Sequence, residues 1–331
     1  MEIAKALVLA GRRAEDRPWP SVRFLPKPLV PVANRPILFH NLEALRRAGL
    51  LEATIAVEPE TAAAIRCAVG DGSDWGLTVR YAECPSDVGI EDALGITRDF
   101  LGDEPVLVQH AGALLRERIH PHIAAFAGER LDALALRLPG ATTDAEVRAA
   151  DGGWLLSQRA VSILMHRATA GADPLARVRA EGGQVRVQHV DGCLPCSGGQ
   201  ETLLEANRRM LEEIVTDVDP ACVESSTIQG AVVVHPTARV ENSLVRGPAI
   251  IGPRTHVREA YIGPYTSIGA DVVVEGAEIE HSMIFSGAEV RYIGTRMESS
   301  VIGERARVVR SFGIPKALHL SVGDGAEVSL S

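Results

Sequence analysis

The chain reads as two structural classes in tandem: an α/β fold with a mostly parallel sheet over residues 1–215, then a left-handed parallel β-helix over residues 216–331. Three observations predict this. Short apolar runs alternate with amphipathic stretches through the first two thirds of the chain. The helical rhythm stops near residue 216, and beyond it aliphatic residues recur at one fixed spacing. Length agrees, since 331 residues with 46% hydrophobic content exceed one ordinary domain and supply ample core.

Taken in order, the apolar runs predict strands over Lys5–Ala10, Ala53–Val57, Thr78–Ala82, Pro105–Gln109, Ala133–Leu138 and Gln184–His189. Between them, apolar residues at helical spacing predict helices over Pro36–Arg47, Glu60–Ala68, Gly89–Phe100, Ile119–Phe126 and Gln200–Glu213. Ligands of such sheets lie beyond the carboxyl ends of the strands, so the residues that follow each strand carry most of the functional information.

In the second part Ile228, Val245, Ile262 and Ile279 are spaced by seventeen, as are Val234, Ile251 and Ile268, and again Val240, Val257 and Val274. Within each unit the steps are six, six and five. Glycine often follows the aliphatic residue, as in Ile251-Gly252, Ile262-Gly263, Ile268-Gly269 and Ile302-Gly303. A three-sided prism needs this register, with each aliphatic pointing inward and a small residue at the corner. A β-sandwich would alternate with period two. Around five coils are expected. One coil cannot bury its own apolar face, so the stack is cooperative, and side-by-side association of such prisms predicts a homo-oligomer.

Composition excludes several partners. A net charge of −9 and a pI near 5.6, with no dense basic run, argue against nucleic acid. Nothing reaches 18 consecutive apolar residues, and Met1-Glu2-Ile3 is no basic leader, so the expectation is a cytoplasmic chain away from membranes. The five cysteines, Cys67, Cys84, Cys193, Cys196 and Cys222, are an odd number that fits no disulfide framework. Cys193-Leu-Pro-Cys196 is a lone CxxC without a second pair of ligands at zinc spacing.

The segment from Leu9 to Val32, LAGRRAEDRPWPSVRFLPKPLVPV, follows the first strand and ends at Pro26-Lys27 before a second apolar run. A strand, then Gly11, then a loop rich in arginine and closed by lysine is the layout of a phosphate-gripping turn, in which backbone N–H groups and cations meet phosphate oxygens. Two readings stay open: an altered anion site, or a solvated loop of mixed charge. The layout resembles the signature G-G-x-G-T-R-L-x-P…P-K of the sugar-1-phosphate nucleotidyltransferases, and most nearly the long glucose-1-phosphate thymidylyltransferases. PKPLVPVANRPILFHNLEALRRAGL, SLVRGPAIIGPRTHVREAYIGPYTSIG and the junction Leu203-Leu204-Glu205-Ala206-Asn207-Arg208 are close to that family's wording, so the resemblance spans nearly the whole chain. It implies a Rossmann-like nucleotidyltransferase domain joined to a β-helix of hexapeptide repeats.

The family reaction joins a nucleoside triphosphate and a sugar-1-phosphate into a nucleotide sugar, releasing pyrophosphate, and rests on Mg²⁺, alignment and cations. The resemblance puts the family arginine at Arg17 and its lysine at Lys27, with Gly11 and Gly89 as the remaining backbone contacts to a nucleotide. Elsewhere the pattern is broken. Arg12 and Ala14 stand at family glycines and Glu15 at its threonine; a carboxylate about 4 Å from a phosphate opposes binding by about 4 kcal/mol at a dielectric near 20. The two metal-holding aspartates fall at Gly112 and Cys196, the base-reading glutamine near Cys84, and the E-K-P motif has no counterpart between Leu138 and Trp154, where the domain is shortened. Neither glycine nor thiol offers the hard oxygen that Mg²⁺ prefers, so Mg²⁺ is not expected to bind in the family manner and no cofactor is assigned.

These losses predict a degenerate, weak or inactive relative, a pseudoenzyme that binds a nucleotide or sugar nucleotide or serves an active paralogue as a regulatory or scaffold partner. The alternative is an active or repurposed enzyme of sugar-nucleotide or natural-product biosynthesis. His110, at a strand's carboxyl end, could join Cys193 and Cys196, with His120 and His122 near, in a transition-metal or general-base site, or each could be a capping or core residue. His235, His256 and His281 on the β-helix are candidates for acyl transfer without the long loop such sites carry.

Overall fold

The computed structural model describes residues 3–11, 25–86, 89–115, 118–137, 151–166, 173–190, 193–195 and 199–310. Its first part is a three-layer α/β unit. The strands are β1 (Lys5–Leu9), β2 (Pro31–Val32), β3 (Arg35–Pro36), β4 (Glu52–Val57), β5 (Thr78–Glu83), β6 (Val106–His110), β7 (Ala113–Leu115), β8 (Ala133–Arg137), β9 (Asp151–Leu156), β10 (Val185–His189) and β11 (Cys193–Pro195). Seven of them form one sheet in the order β10-β8-β9-β6-β1-β4-β5. All neighbours run parallel except β9, which lies antiparallel between β6 and β8.

Both faces of this sheet are covered, which is why inner strands such as β1 and β4 are buried at nearly every position rather than at alternate ones. Ala6, Val8, Ile55 and Leu107 face the helices Ile37–Arg47, Pro59–Val69 and Ile119–Gly128. Leu7, Leu9, Val106, Val108 and Trp154 face the helices Ile90–Ile96, Gln158–His166 and Pro174–Ala180. The helix expected over Gly89–Phe100 is broken in two at Thr97, whose buried hydroxyl donates to the Ala93 carbonyl at 2.7 Å and ends the first piece.

The second part is a left-handed parallel β-helix of three sheets with six, six and five strands. The spacing of seventeen becomes the pairing register: Ile228 lies beside Val245, Val245 beside Ile262, and Val240 beside Val257. Val234, Val240, Val257, Ile262 and Ile279 are all within the buried core. The glycine corners need correction. Left-handed backbone is taken by Asn242, Glu259, Asp271 and Gly276, whereas Gly252 is required by close stacking, because a Cβ there would lie 2.6 Å from the Gly269 backbone of the next coil.

The two parts share an apolar seam. Val30, Val32 and Ile37 pack against Leu203 and Leu204 of the helix Gln200–Leu211 and against Met283 and Phe285 of the β-helix. Among the described residues, no helix is long and apolar enough to cross a membrane.

Candidate functional site

The carboxyl ends of β1, β4, β5 and β6 lie side by side and build a crest. Leu9 pairs with His110, the Ala10 N–H donates to the Ala56 carbonyl at 2.8 Å, and the Cys84 N–H donates to the Val57 carbonyl at 2.9 Å. The residues next in the chain, Gly11, Glu58, Cys84 and Ala111-Gly112, therefore line one edge of the sheet. β1 has its neighbours on opposite sides, with chain connections leaving in both directions, which is where an open α/β sheet forms its binding crevice.

Gly11 sits against a carboxylate that sequence reading missed. Glu58 is 2% exposed, and a Cβ on Gly11 would lie 3.4 Å from its Oε1. The local sequence Val-Glu-Pro reads only as a helix start, and the helix Pro59–Val69 does begin there with Glu58 as its cap residue. What the linear pattern hides is that this carboxylate folds back toward the end of β1. On the other side, Gln109 donates to Asn41 Oδ1 at 3.1 Å, and Asn41 donates to the Ala111 carbonyl at 3.2 Å, both buried. That network fixes the backbone immediately before Gly112.

Lys27 opens a one-turn 3₁₀ helix, Lys27–Leu29, and its Nζ is buried. Gly89 precedes the helix Ile90–Ile96 with φ −68, so its backbone is ordinary; a Cβ there would stand 3.1 Å from Glu91 Oε2. Glu91 is held by Arg177 through a 3.1 Å ion pair that is mostly buried. Burial, with Asp92 adding to it, pushes the Cys84 thiol up and so favours its neutral form.

Of the two family metal positions, Gly112 is among the described residues and Cys196 is not. β7 and β11 pair antiparallel, with Pro195 opposite Ala113, so Gly112 immediately precedes the strand end that faces Pro195. Cys196 follows Pro195 and lies outside the described residues, as do Arg12, Ala14, Glu15 and Arg17. Gly112 supplies no ligand, and among the described residues no atom lies within 4 Å of a Cβ built there. No group of three or more His, Cys, Asp and Glu side chains among the described residues is placed to hold a metal ion. Gly112, the family metal position that the described residues include, thus offers Mg²⁺ no side-chain oxygen.

Of the His110, Cys193, Cys196 grouping that the sequence allowed, Cys196 lies outside the described residues. His110 follows Val106 and Val108 in alternation and meets the Trp154 ring edge-on, 6.0 Å between centroids. His120 and His122 belong to the helix Ile119–Gly128, which packs on the opposite face of the sheet through Ile119 and Phe126. Strand alternation therefore separates His110 from both. Cys193 lies in β11, paired with Leu115. On the β-helix, His256 lies in the sheet face containing Arg239 and Val273, while His281 lies at another corner, within 3.3 Å of the Ser299 hydroxyl.

Comparisons with known proteins agree with this geometry. The profile of the nucleotidyl transferase family matches residues 5–145. The chain is 33% identical to a glucose-1-phosphate thymidylyltransferase of Streptomyces griseus over 356 aligned positions, covering 99% of each chain. It is 29% identical to a glucose-1-phosphate thymidylyltransferase of Streptomyces antibioticus, covering 98% of this chain and 99% of the relative. A low-salt glycan biosynthesis nucleotidyltransferase of Haloferax volcanii is 26% identical over 98% of this chain and its own full length. Among solved structures, a Bacillus anthracis chain described as a glucose-1-phosphate thymidylyltransferase superposes with a TM-score of 0.54 at 18% identity, covering 65% of this chain and 97% of its own, a likeness of fold.

Proposed function

This chain belongs to the sugar-1-phosphate nucleotidyltransferase family, and we propose that it is a degenerate member that grips a nucleotide or sugar nucleotide and transfers nucleotidyl groups weakly or not at all. The observation that carries this reading is Gly112. It stands just beyond β6, where the resemblance puts a metal-holding aspartate, next to β7, whose Ala113 pairs with Pro195, and it brings no side-chain oxygen there. Loss of a metal that neutralises developing charge removes several kcal/mol of transition-state stabilisation, whereas binding needs only cations and backbone donors.

Lys27 and Arg17 are the cations assigned to that grip, with Gly11 and Gly89 beside the nucleotide. Such a protein would act as a regulatory or scaffold partner, with an active paralogue as its natural associate and the β-helix as its surface for self-association. One observation favours the second reading, an enzyme that keeps transfer or runs another reaction in the cleft. Glu58 is a carboxylate buried at the crest, beside Gly11, and contributes an oxygen the family pattern does not count.

The binding half of the proposal is tested by thermal shift with each nucleoside triphosphate and with thymidine diphosphate sugars. A ligand at about 100 times its Kd adds about 2.7 kcal/mol of stability, a rise of several degrees for a domain of this size. Arg17→Ala is expected to abolish that rise. A wild-type melting curve untouched by every nucleotide would leave scaffolding alone.

A further inference from the structure

A buried amide on the junction helix links the segment that carries Lys27 to the β-helix. Asn207, fully buried in the helix Gln200–Leu211, accepts from the Ala33 N–H at 2.9 Å and donates to the Tyr265 carbonyl at 3.3 Å. Next to it, Asn34 donates to the Ile268 carbonyl at 2.6 Å. Ala33 and Asn34 form the turn between β2 and β3, with φ of 47 and 61. Alanine adopts that left-handed backbone only at a cost, so the turn persists because its surroundings hold it.

The same segment positions Lys27. The Val30 N–H donates to the Lys27 carbonyl at 3.1 Å, and the Val30 carbonyl accepts from the Ile37 N–H at 3.0 Å. Lys27, the hairpin and the start of the following helix are thereby closed into one unit. Val30 and Val32 rest on Leu203 and Leu204, one and a half turns or less from Asn207 on the junction helix.

We propose that Asn207 is a positioning residue: by pinning the Ala33–Asn34 turn to the junction helix and to the β-helix corner at Tyr265, it sets the place of the Lys27 ammonium. The β-helix then acts as part of the anion grip through that link. Its bearing on ligand rests on the nucleotide-binding reading above; the placement of Lys27 does not.

The chain has only three lysines, Lys5, Lys27 and Lys316, so amine chemistry reads the site directly. The full-length protein is treated with limiting acetic anhydride, and modification of Lys27 relative to Lys5 is measured by mass spectrometry, with and without thymidine triphosphate. Val290→Ala, in the β-helix core away from the hairpin, serves as the destabilised control. Asn207→Ala is expected to raise the Lys27:Lys5 ratio about tenfold, as loss of a buried hydrogen bond opens the segment locally, while Val290→Ala leaves it within about twofold. Asn34→Gly suits the turn's backbone and removes only the Ile268 link; it is expected to raise the ratio by about threefold and decides the matter should Asn207→Ala not fold. An unchanged ratio in the variants, or an equal rise in Val290→Ala, overturns the proposal. Thymidine triphosphate is expected to shield Lys27 in the wild type. Absence of shielding with the variant effect intact would overturn the nucleotide reading and leave the role of Asn207 standing.

Discussion

At the residue scale, single positions differ in how far their meaning can be read without coordinates. Lys27 is legible twice over: it closes the loop after the first strand, and it is one of three lysines in a chain with 31 arginines, so its ammonium is not the ordinary cation of this protein. Glu58 is illegible, because proximity to Gly11 is created by the parallel pairing of β1 and β4 and by nothing in the linear pattern. His40 shows how a surface-helix pattern hides a half-buried group. Its Nε2 lies 3.0 Å from the Val32 carbonyl, to which it donates, and burial pushes its imidazole below the ordinary value. The unfolded chain binds a proton near pH 6.5 while the folded chain resists it, so stability is lost as pH falls below about 6.5. Thermal melts between pH 7.5 and about 5 are expected to show a smaller acid-induced fall in Tm for His40→Gln, which keeps a donor for Val32, than for the wild type. An equal fall in both would remove His40 from the account.

At the element scale, legibility follows how strongly local pattern and tertiary environment agree. The β-helix was readable because each coil repeats one requirement, an inward aliphatic at fixed spacing. The pairing confirms that register up to Ile268 and Ile279, after which coils of 16 and 18 residues intervene: Ile268 pairs with Ile284, and Ile279 with Met297. A strict spacing of seventeen cannot show those last coils. The helix Gln158–His166 carries Val161 and Ile163 in a short apolar run that periodicity alone leaves between helix and strand, and packing of Ala160, Val161 and Leu164 on the sheet decides it. The helix Pro174–Ala180 is shorter still; Asp173 caps it by accepting from the Leu175 N–H at 3.2 Å, and Leu175 and Val178 anchor it. In the β-helix, Ile262 is fully buried between coils. Ile262→Ala is expected to cost about 2–5 kcal/mol, measured by denaturant or thermal unfolding, and to lower the melting of the stack as a unit because each coil is held only by its neighbours. A loss well under 1 kcal/mol would mean the coils are not packed as described.

At the scale of the whole molecule, the α/β part and the β-helix are fastened by an apolar seam and by the amides of Asn34 and Asn207, so the segment bearing Lys27 is built from both. The fold was legible from rhythm and resemblance. The proposed state of the site rests on the residues at Gly112 and Cys196, and the structure adds that β7, which follows Gly112, pairs with β11, which precedes Cys196. Among the described residues nothing lies within 4 Å of a Cβ built on Gly112, so the first atom of an aspartate side chain meets no described neighbour there. The most direct test therefore measures pyrophosphate release from each nucleoside triphosphate with glucose-1-phosphate and Mg²⁺, comparing the wild type with the double variant Gly112→Asp, Cys196→Asp. The account predicts no turnover above background for the wild type and a gain of Mg²⁺-dependent turnover in the double variant. Wild-type turnover at ordinary enzyme rates, about 1 s⁻¹ or faster, would contradict it.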